Sequence, residues 1–448
     1  MKAVESQKKC DGYKILKNLF DENTMEEIAP FFKYDEIAPG IICGFGRIKG
    51  YHAYAFAQSL DLSGGMMSKS QAFKLMKLYS LAEKTGAPIV GVFNSKGASL
   101  ISKNQALEAY VKISQKCCQL SGVVPQISLV VGMCYGTMAS VVSCSDIVII
   151  TKDGKLGFDI GGENSDAEKS CIDGTSDIMA ENENEAIEKA RNLISMLPSN
   201  NLCGNRTVEF NEQENLNISI ANEKNKHEII NKICDKSSFI EIKKDFGKHF
   251  ITGFASIKGK VCGIICSNPA VLDCADYDSC SKVAKFIMMC DSFSIPLITL
   301  ADTQNFSSIN GASKIFCAYS NSTCIKLSVI TGKIYSGTAY TALCGRGMQD
   351  LIFCWTTGGV SALKPQTAVE ILWKDRLHGD GVDFKQKRKE LEEEYIKTEV
   401  GAIRSCEIGL ADYIIYPDET REKLALALES LENKRERTLP KKHTNINM

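Results

Sequence analysis

The chain has no excess of either charge. Its 448 residues carry 53 Lys and Arg against 54 Asp and Glu, a formal net charge of −1. That balance gives no electrostatic reason to expect nucleic acid or an anionic membrane surface as partner. Histidine is scarce: there are five, none in an HxxxH or HExxH spacing. No CxxC pair faces a second CxxC, so neither a zinc ribbon nor metal catalysis is expected. The opening MKAVESQKKCDGYK lacks the apolar core of a signal peptide, and secretion is not expected. One uncharged window does run from Cys117 to Ser145, but Gly122, Pro125, Gln126, Gly132 and Gly136 punctuate it like turns. A lipid-spanning helix would have to satisfy the backbone groups these residues disrupt, so a buried strand followed by a buried helix is expected and no membrane span.

The length suffices for two or more domains, each with its own core. Nineteen cysteines are scattered along it rather than set in a short framework. They read as reduced, mostly buried thiols of a cytoplasmic protein, with Cys262 and Cys266 of CGIIC in the core. The chain also repeats itself. Gly50 opens GYHAYAFAQS and Gly259 opens GKVCGIICSN; APIVGVFNSKGA is answered by IPLITLADTQNF, and ISLVVGMCYGTMAS by IKLSVITGKIYSGTAYTA. Each half reads as strand, long helix (Ser68 to Lys84; Ser279 to Phe293), strand and loop, then a second strand, a glycine turn and a helix. This alternation predicts an α/β architecture.

Between the halves the polar run SNNLCGNRTVEFNEQENLNISIANEKNKHE suits a surface connection. It places the boundary near residue 225 and gives domains 1–225 and 226–448. The acidic, Gly/Ser/Asp-rich stretch from Glu163 to Asn184 reads as an exposed excursion. Asp383 to Glu399 reads as a charged helix, a solvated face or subunit contact.

The chemistry points to the turns. In the first half ISLVV leads to Gly132-Met133-Cys134-Tyr135-Gly136-Thr137; in the second, LSVIT leads to Gly332-Lys333-Ile334-Tyr335-Ser336-Gly337-Thr338. Glycine at a strand-to-helix turn permits positive φ and close approach of a ligand. The helix start behind it offers unpaired N–H donors that can hold an anionic oxygen. One such turn alone reads equally well as tight packing; two in matching positions suggest two oxyanion sites.

These segments, with YAFAQSLDLSGGMMSKSQAFKLMKLYSLAEKTGAPIVGVFNSKGA before them and SCSKVAKFIMMCDSFSIPLITLADT and DYIIYPDETREKLALALESLENKRERTLPKKHTNI in the second half, resemble the carboxyltransferase subunits of biotin-dependent acyl-CoA carboxylases and decarboxylases. The similar chains are propionyl- and acetyl-CoA carboxylase β subunits and methylmalonyl-CoA decarboxylase α subunits. The resemblance implies two tandem crotonase-like (ClpP/crotonase) domains of ββα superhelical units. It implies carboxyl transfer between biotin and a short-chain acyl-CoA (propionyl/methylmalonyl or acetyl/malonyl), with no side-chain general base. Biotin would arrive on a biotin carboxyl carrier protein, since no Met-Lys-Met site is present. A biotin carboxylase or a membrane decarboxylase subunit would be the further partner, and the working form a homo- or hetero-oligomer, a dimer or trimer of dimers.

Carried over residue by residue, the resemblance implies a thioester-oxygen site at the N–H groups of Ala98, Gly136 and Thr137, flanked by Gly97 and Tyr135. It implies a biotin-oxygen site at Gly337 and Thr338. The position that helps choose the acyl group falls on Tyr340, or on Thr341 with a one-residue gap. The resemblance is that of a divergent member. The family's Gly-Gly-Ala-Arg is Lys96-Gly97-Ala98-Ser99, and its following Gln-Glu-Gly is Ile101-Ser102-Lys103. Its Pro-Gly-Phe loop shrinks to Thr303-Gln304-Asn305-Phe306-Ser307-Ser308, and a histidine of the first half becomes Asp177. Threonine replaces glycine or alanine in both turns. A non-catalytic or weakened paralogue that assembles with an active subunit is the alternative expectation.

Overall fold

β-Branched runs bounded by glycine and proline form the frame of the molecule. A computed structural model describes residues 9–33, 39–99, 104–159, 165–212, 219–220, 223–377 and 384–441. The described residues group into two units, one running to Arg206 and including Lys243–Asp245, the other made of the rest from Thr207 on. The division falls earlier than residue 225 because the polar connector starts by pairing with the second unit. Thr207 bridges Lys260, and the Val208 N–H donates to the Gly259 carbonyl at 2.8 Å.

In the first unit, α1 (Asp11–Leu19) precedes the strands β1 (Glu26–Glu27), β2 (Ile41–Ile48) and β3 (Tyr51–Gln58). Next come α2 (Lys69–Thr85), β4 (Ile89–Phe93), α3 (Gln105–Leu120), β5 (Gln126–Val130), β6 (Met133–Tyr135) and α4 (Thr137–Ser143). The unit continues with β7 (Ile147–Thr151), β8 (Lys155–Gly157), α5 (Ala167–Ile172), β9 (Ile178–Ala180) and α6 (Glu183–Met196). The main sheet has the order β1-β2-β3-β4-β5-β7-β9, with β6 and β8 forming a separate parallel pair. β2 and β3 are an antiparallel hairpin; from β3 onward the strands run parallel. All five residues of β4, β5 and β7 are buried, as expected of parallel strands covered on both faces. α2 begins where the Ser68 hydroxyl accepts the Gln71 N–H and stops at Gly86, whose φ of 63° is left-handed.

The second unit repeats this plan. After α7 (Lys226–Ile233) come β10 (Ile240–Ile242), β11 (Phe250–Ile257), β12 (Lys260–Ser267), β13 (Cys274–Ala275) and α8 (Tyr277–Ser292). Then follow β14 (Leu297–Ala301), β15 (Asn305–Phe306), α9 (Ile309–Asn321), β16 (Lys326–Ile330), β17 (Lys333–Ile334) and α10 (Gly337–Cys344). The unit ends with β18 (Leu351–Trp355), β19 (Gly359–Val360), α11 (Pro365–Leu372), α12 (Lys374–Leu377), α13 (Phe384–Glu399), α14 (Ala402–Glu407), β20 (Tyr413–Ile415) and α15 (Thr420–Ser430). Its sheet is ordered β10-β11-β12-β14-β16-β18-β20, and the β17–β19 pair stands where β6–β8 stands in the first unit. The repeat read from the sequence is therefore a repeat of whole ββα layers. Each unit has its own apolar core beside its sheet, and Cys262 and Cys266 are buried there. All nineteen cysteines are free thiols.

The stretch 163–184 is not an excursion. Glu163 and Asn164 lie outside the described residues, but beyond them α5 and β9 belong to the fold and β9 closes the sheet edge. Its charged side chains at Asp166, Glu168, Lys169 and Asp173 are exposed, whereas Ser170, Ser176 and Asp177 are buried and paired. The Ser170 hydroxyl donates to Ser176 at 2.9 Å, and the Asp177 carboxylate accepts the Val148 N–H at 2.7 Å and faces Lys243 at 3.0 Å. The charged helix α13 does bury one stripe, packing Leu391 and Tyr395 against Ala368, Val369, Leu377 and Val400; Asp383 lies outside the described residues. Among the described residues no helix is long and apolar enough to cross a membrane.

Candidate active site: two strand-to-helix turns

β5 ends at Val130 and the chain turns at Gly132, pressed against Asn94. A Cβ on Gly132 would lie 2.3 Å from the Asn94 side-chain oxygen. That oxygen accepts the Met133 N–H at 3.3 Å, and the Met133 carbonyl accepts the Ser95 N–H at 2.8 Å. These contacts tie Asn94 and Ser95, which precede the loop carrying Gly97 and Ala98, to Met133, which precedes Tyr135, Gly136 and Thr137. The loop is fixed on its other side by backbone bonds. The Lys96 N–H donates to Gly64, the Met67 N–H to Gly97 and the Ser99 N–H to Met67. Gly97 has φ of 102°, and its N–H donates to the Ser95 hydroxyl at 3.1 Å. Ile101, Ser102 and Lys103 lie outside the described residues.

Gly136 has φ of 69° and ψ of −141°, a conformation that glycine adopts far more readily than other residues. Its N–H donates to the Gly157 carbonyl at 2.9 Å. The donor role expected of it is therefore taken up by the β6–β8 pairing, and Gly136 instead supplies the sharp backbone reversal that starts α4. The N–H groups of Ala98 and Thr137 have no acceptor among the described residues, and both residues are exposed. Thr137 is the first residue of α4 and is not among the residues with positive φ. Replacing glycine by threonine at this point puts no strain on the backbone. Beneath the turn, burial pushes the Cys134 thiol up to about 12, so it stays neutral.

The second turn is built alike with one change of charge. Gly332 follows β16, and a Cβ there would fall 1.9 Å from an Asp302 carboxylate oxygen, where the first unit has Asn94. Asp302 is neutralised by Lys226 at 2.7 Å. The Gly332 carbonyl accepts from Gly359 at 3.2 Å and the Ile334 carbonyl from Ser361 at 2.8 Å. Ser336 caps α10, its hydroxyl accepting the Ala339 N–H at 3.3 Å. The N–H groups of Gly337 and Thr338 have no acceptor among the described residues; both residues are exposed and neither has positive φ. A Cβ on Gly337 would meet nothing within 4 Å. Tyr340, further along α10, is half-buried and donates its hydroxyl to the Leu410 carbonyl at 3.1 Å; burial raises its pKa.

Neither turn contains a carboxylate or an imidazole. The first turn leaves the Thr137 N–H open and the second those of Gly337 and Thr338, backbone donors of the kind that can stabilise an oxygen on which negative charge develops. The Asp177 carboxylate is spent on the Val148 N–H and Lys243. The segment from Thr303 to Ser308 is short but ordered. Thr303 is buried, β15 pairs with β13, and Ser308 caps α9. Sequence reading passed over two groups that shape these turns. Asn94 and Asp302 could have been found as the polar residues that follow β4 and β14 in both repeats.

The carboxyl transferase domain family matches residues 13–446. The chain is 32% identical to the methylmalonyl-CoA decarboxylase α subunit of Propionigenium modestum, over all of this chain and 95% of that one. It is 30% identical to the propionyl-CoA carboxylase β chain of Cereibacter sphaeroides, with the same coverage of both chains. The transcarboxylase 12S crystal structure, described as a hexamer with hydrolysed methylmalonyl-CoA bound, superposes with a TM-score of 0.90 at 28% identity, covering all of this chain and 95% of that one. The two units are thus crotonase-like carboxyltransferase domains, and the chain belongs to the carboxyl transferase family as an enzyme of the propionyl-CoA carboxylase and methylmalonyl-CoA decarboxylase type.

Proposed function

We propose that this enzyme moves a carboxyl group between biotin, borne by a separate biotin carboxyl carrier protein, and a short-chain acyl-CoA of the propionyl/methylmalonyl class. The observation that carries the reading is the duplicated turn, with two open backbone donors in each unit. The Ala98 and Thr137 N–H groups hold the thioester oxygen, and Gly136 sets their geometry through its left-handed backbone. As the α-carbon becomes nucleophilic, charge moves onto that oxygen and the two donors stabilise it. Gly97 and Tyr135 border the thioester, and Tyr340 is the residue that helps choose the acyl group.

Biotin, when its carrier presents it, supplies the carboxyl group and the base. The second turn fits its ureido oxygen. Gly337 leaves an open cradle on an exposed helix start, and the Gly337 and Thr338 N–H groups have no competing acceptor among the described residues. All four donors sit on exposed residues, and such donors are worth most where water is excluded. Assembly into an oligomer, together with a biotin carboxylase or a decarboxylase partner, supplies that cover. The similarity to methylmalonyl-CoA decarboxylase and propionyl-CoA carboxylase chains favours propionyl or methylmalonyl over acetyl or malonyl as the acyl group. The alternative of a non-catalytic paralogue is the weaker reading, because Thr137 and Thr338 stand in unstrained helical backbone.

Thr137→Pro tests the reading. Proline at the first position of a helix removes the N–H without breaking the helix. The variant should melt like the parent and still bind the acyl-CoA, while kcat/KM falls about 10²–10³-fold, the range for losing one oxyanion donor. Full activity in a folded Thr137→Pro protein would remove Thr137 from the site.

A further inference from the structure

Five histidines offered the sequence no useful spacing, yet one of them sits at the centre of a polar chain. His249, just before β11, is fully buried. Its Nδ1 lies 2.5 Å from the Leu272 carbonyl oxygen and its Nε2 3.0 Å from the Thr303 hydroxyl. A carbonyl only accepts, so Nδ1 carries the proton. Burial opposes a second proton on the ring, leaving Nε2 as an acceptor for the Thr303 O–H. The Thr303 oxygen in turn accepts from Ser267, 2.8 Å away. One direction satisfies every member: Ser267 donates to Thr303, Thr303 to His249, His249 to Leu272.

Thr303 sits between two residues that touch the second turn. On one side Asp302, paired with Lys226, packs against Gly332. On the other, the Gln304 amide donates to the Lys333 carbonyl in β17. β17 runs directly into Tyr335-Ser336-Gly337-Thr338. In the first unit the matching turn leans on the Asn94 side chain.

We propose that His249 is a positioning residue for the second turn: by holding Thr303 it fixes residues 302–304 against Gly332 and Lys333, and so aims the Gly337 and Thr338 donors. The inference rests on the carboxyltransferase reading. It predicts an effect confined to the biotin side.

The test uses the full chain in its native assembly, with His249→Phe, Thr303→Val and His249→Gln. For transfer from methylmalonyl-CoA to free biotin, His249→Phe and Thr303→Val should lower kcat/KM for biotin about tenfold, the worth of one well-placed hydrogen bond, and leave KM for methylmalonyl-CoA unchanged. His249→Gln, whose side-chain oxygen can still accept from Thr303, should recover most of the loss. Amide hydrogen exchange without substrate should quicken over residues 333–340 in the first two variants and stay unchanged over 132–140. Equal changes in both KM values, or unchanged exchange over 333–340, would overturn the proposal. Should His249→Phe fail to fold, Thr303→Val carries both readouts. Should the parent transfer no carboxyl group, the fault lies with the carboxyltransferase reading, and the exchange pattern alone decides the positioning role.

Discussion

Gly337→Ala separates a ligand-facing glycine from a backbone-forming one. Gly337 is the first residue of α10, lacks positive φ, and has room for a Cβ with nothing within 4 Å. In the free protein the substitution removes no contact and creates no clash. It lowers the entropy of the unfolded chain, and should stabilise the fold by about 0.4–1 kcal/mol. On the proposed reading, in which biotin approaches the Gly337 N–H, the same methyl group would crowd the incoming ureido ring. Losing effective use of one such donor costs about 10²–10³-fold in turnover, roughly 2.7–4 kcal/mol. The assay pairs a urea titration with initial rates of carboxyl transfer to free biotin, varying biotin and acyl-CoA separately. A variant at least as stable as the parent, impaired for biotin and unimpaired for acyl-CoA, is the expected result. Because no loss of stability would be available to explain an impairment, the loss would be assignable to the site, and a variant with full kcat/KM for biotin would refute the assignment of the second turn.

Gly136→Ala should behave in the opposite way: at φ of 69° it strains the backbone, and about 1–3 kcal/mol of stability should be lost by urea titration along with activity. Lys74→Met breaks an ion pair with Glu27 at 3.1 Å, where the Lys74 side chain is fully buried and that of Glu27 is 9% exposed. Leaving that carboxylate without its cation should cost about 3–5 kcal/mol, and the double variant Lys74→Met/Glu27→Leu should regain much of it. Burial pushes the Cys43 and Cys134 thiols from the ordinary 9.0 up to about 12, so their neutral forms contribute stability in full below pH 9. That contribution drains away as pH rises from 9 toward about 12, and the urea midpoint should fall across this window more steeply than in Cys43→Ala. In the native protein near neutral pH, iodoacetamide should label the exposed Cys118, Cys144 and Cys203 and spare the buried thiols, as read by peptide mass mapping.

The duplicated architecture was legible because its signals are local. Gly50 and Gly259 at the hairpins, Ser68 capping α2, and the apolar runs of β5 and β16 act within a few residues of where they stand. The turns could be located for the same reason. The assignment of donors within them was not so readable. Gly136 gives its N–H to Gly157, a partner known only once β6 is seen beside β8. Residues 163–184 misled because composition reports polarity, whereas burial depends on pairing: Asp177 is sunk between Val148 and Lys243, both distant in sequence. Thr207 and Val208 look like linker until their edge partners Gly259 and Lys260 appear. His249 left no trace, since Leu272, Thr303 and Ser267 reach it through the tertiary fold alone.

The most direct test of the central claim is transfer of labelled carboxyl from methylmalonyl-CoA to free biotin by the purified, assembled protein. Labelled carboxybiotin should form in amounts that depend on both substrates, and should be lost when Thr137→Pro or Gly337→Ala replaces the parent. A well-folded assembly that binds the acyl-CoA, yet forms no carboxybiotin from either methylmalonyl- or malonyl-CoA, would contradict the account.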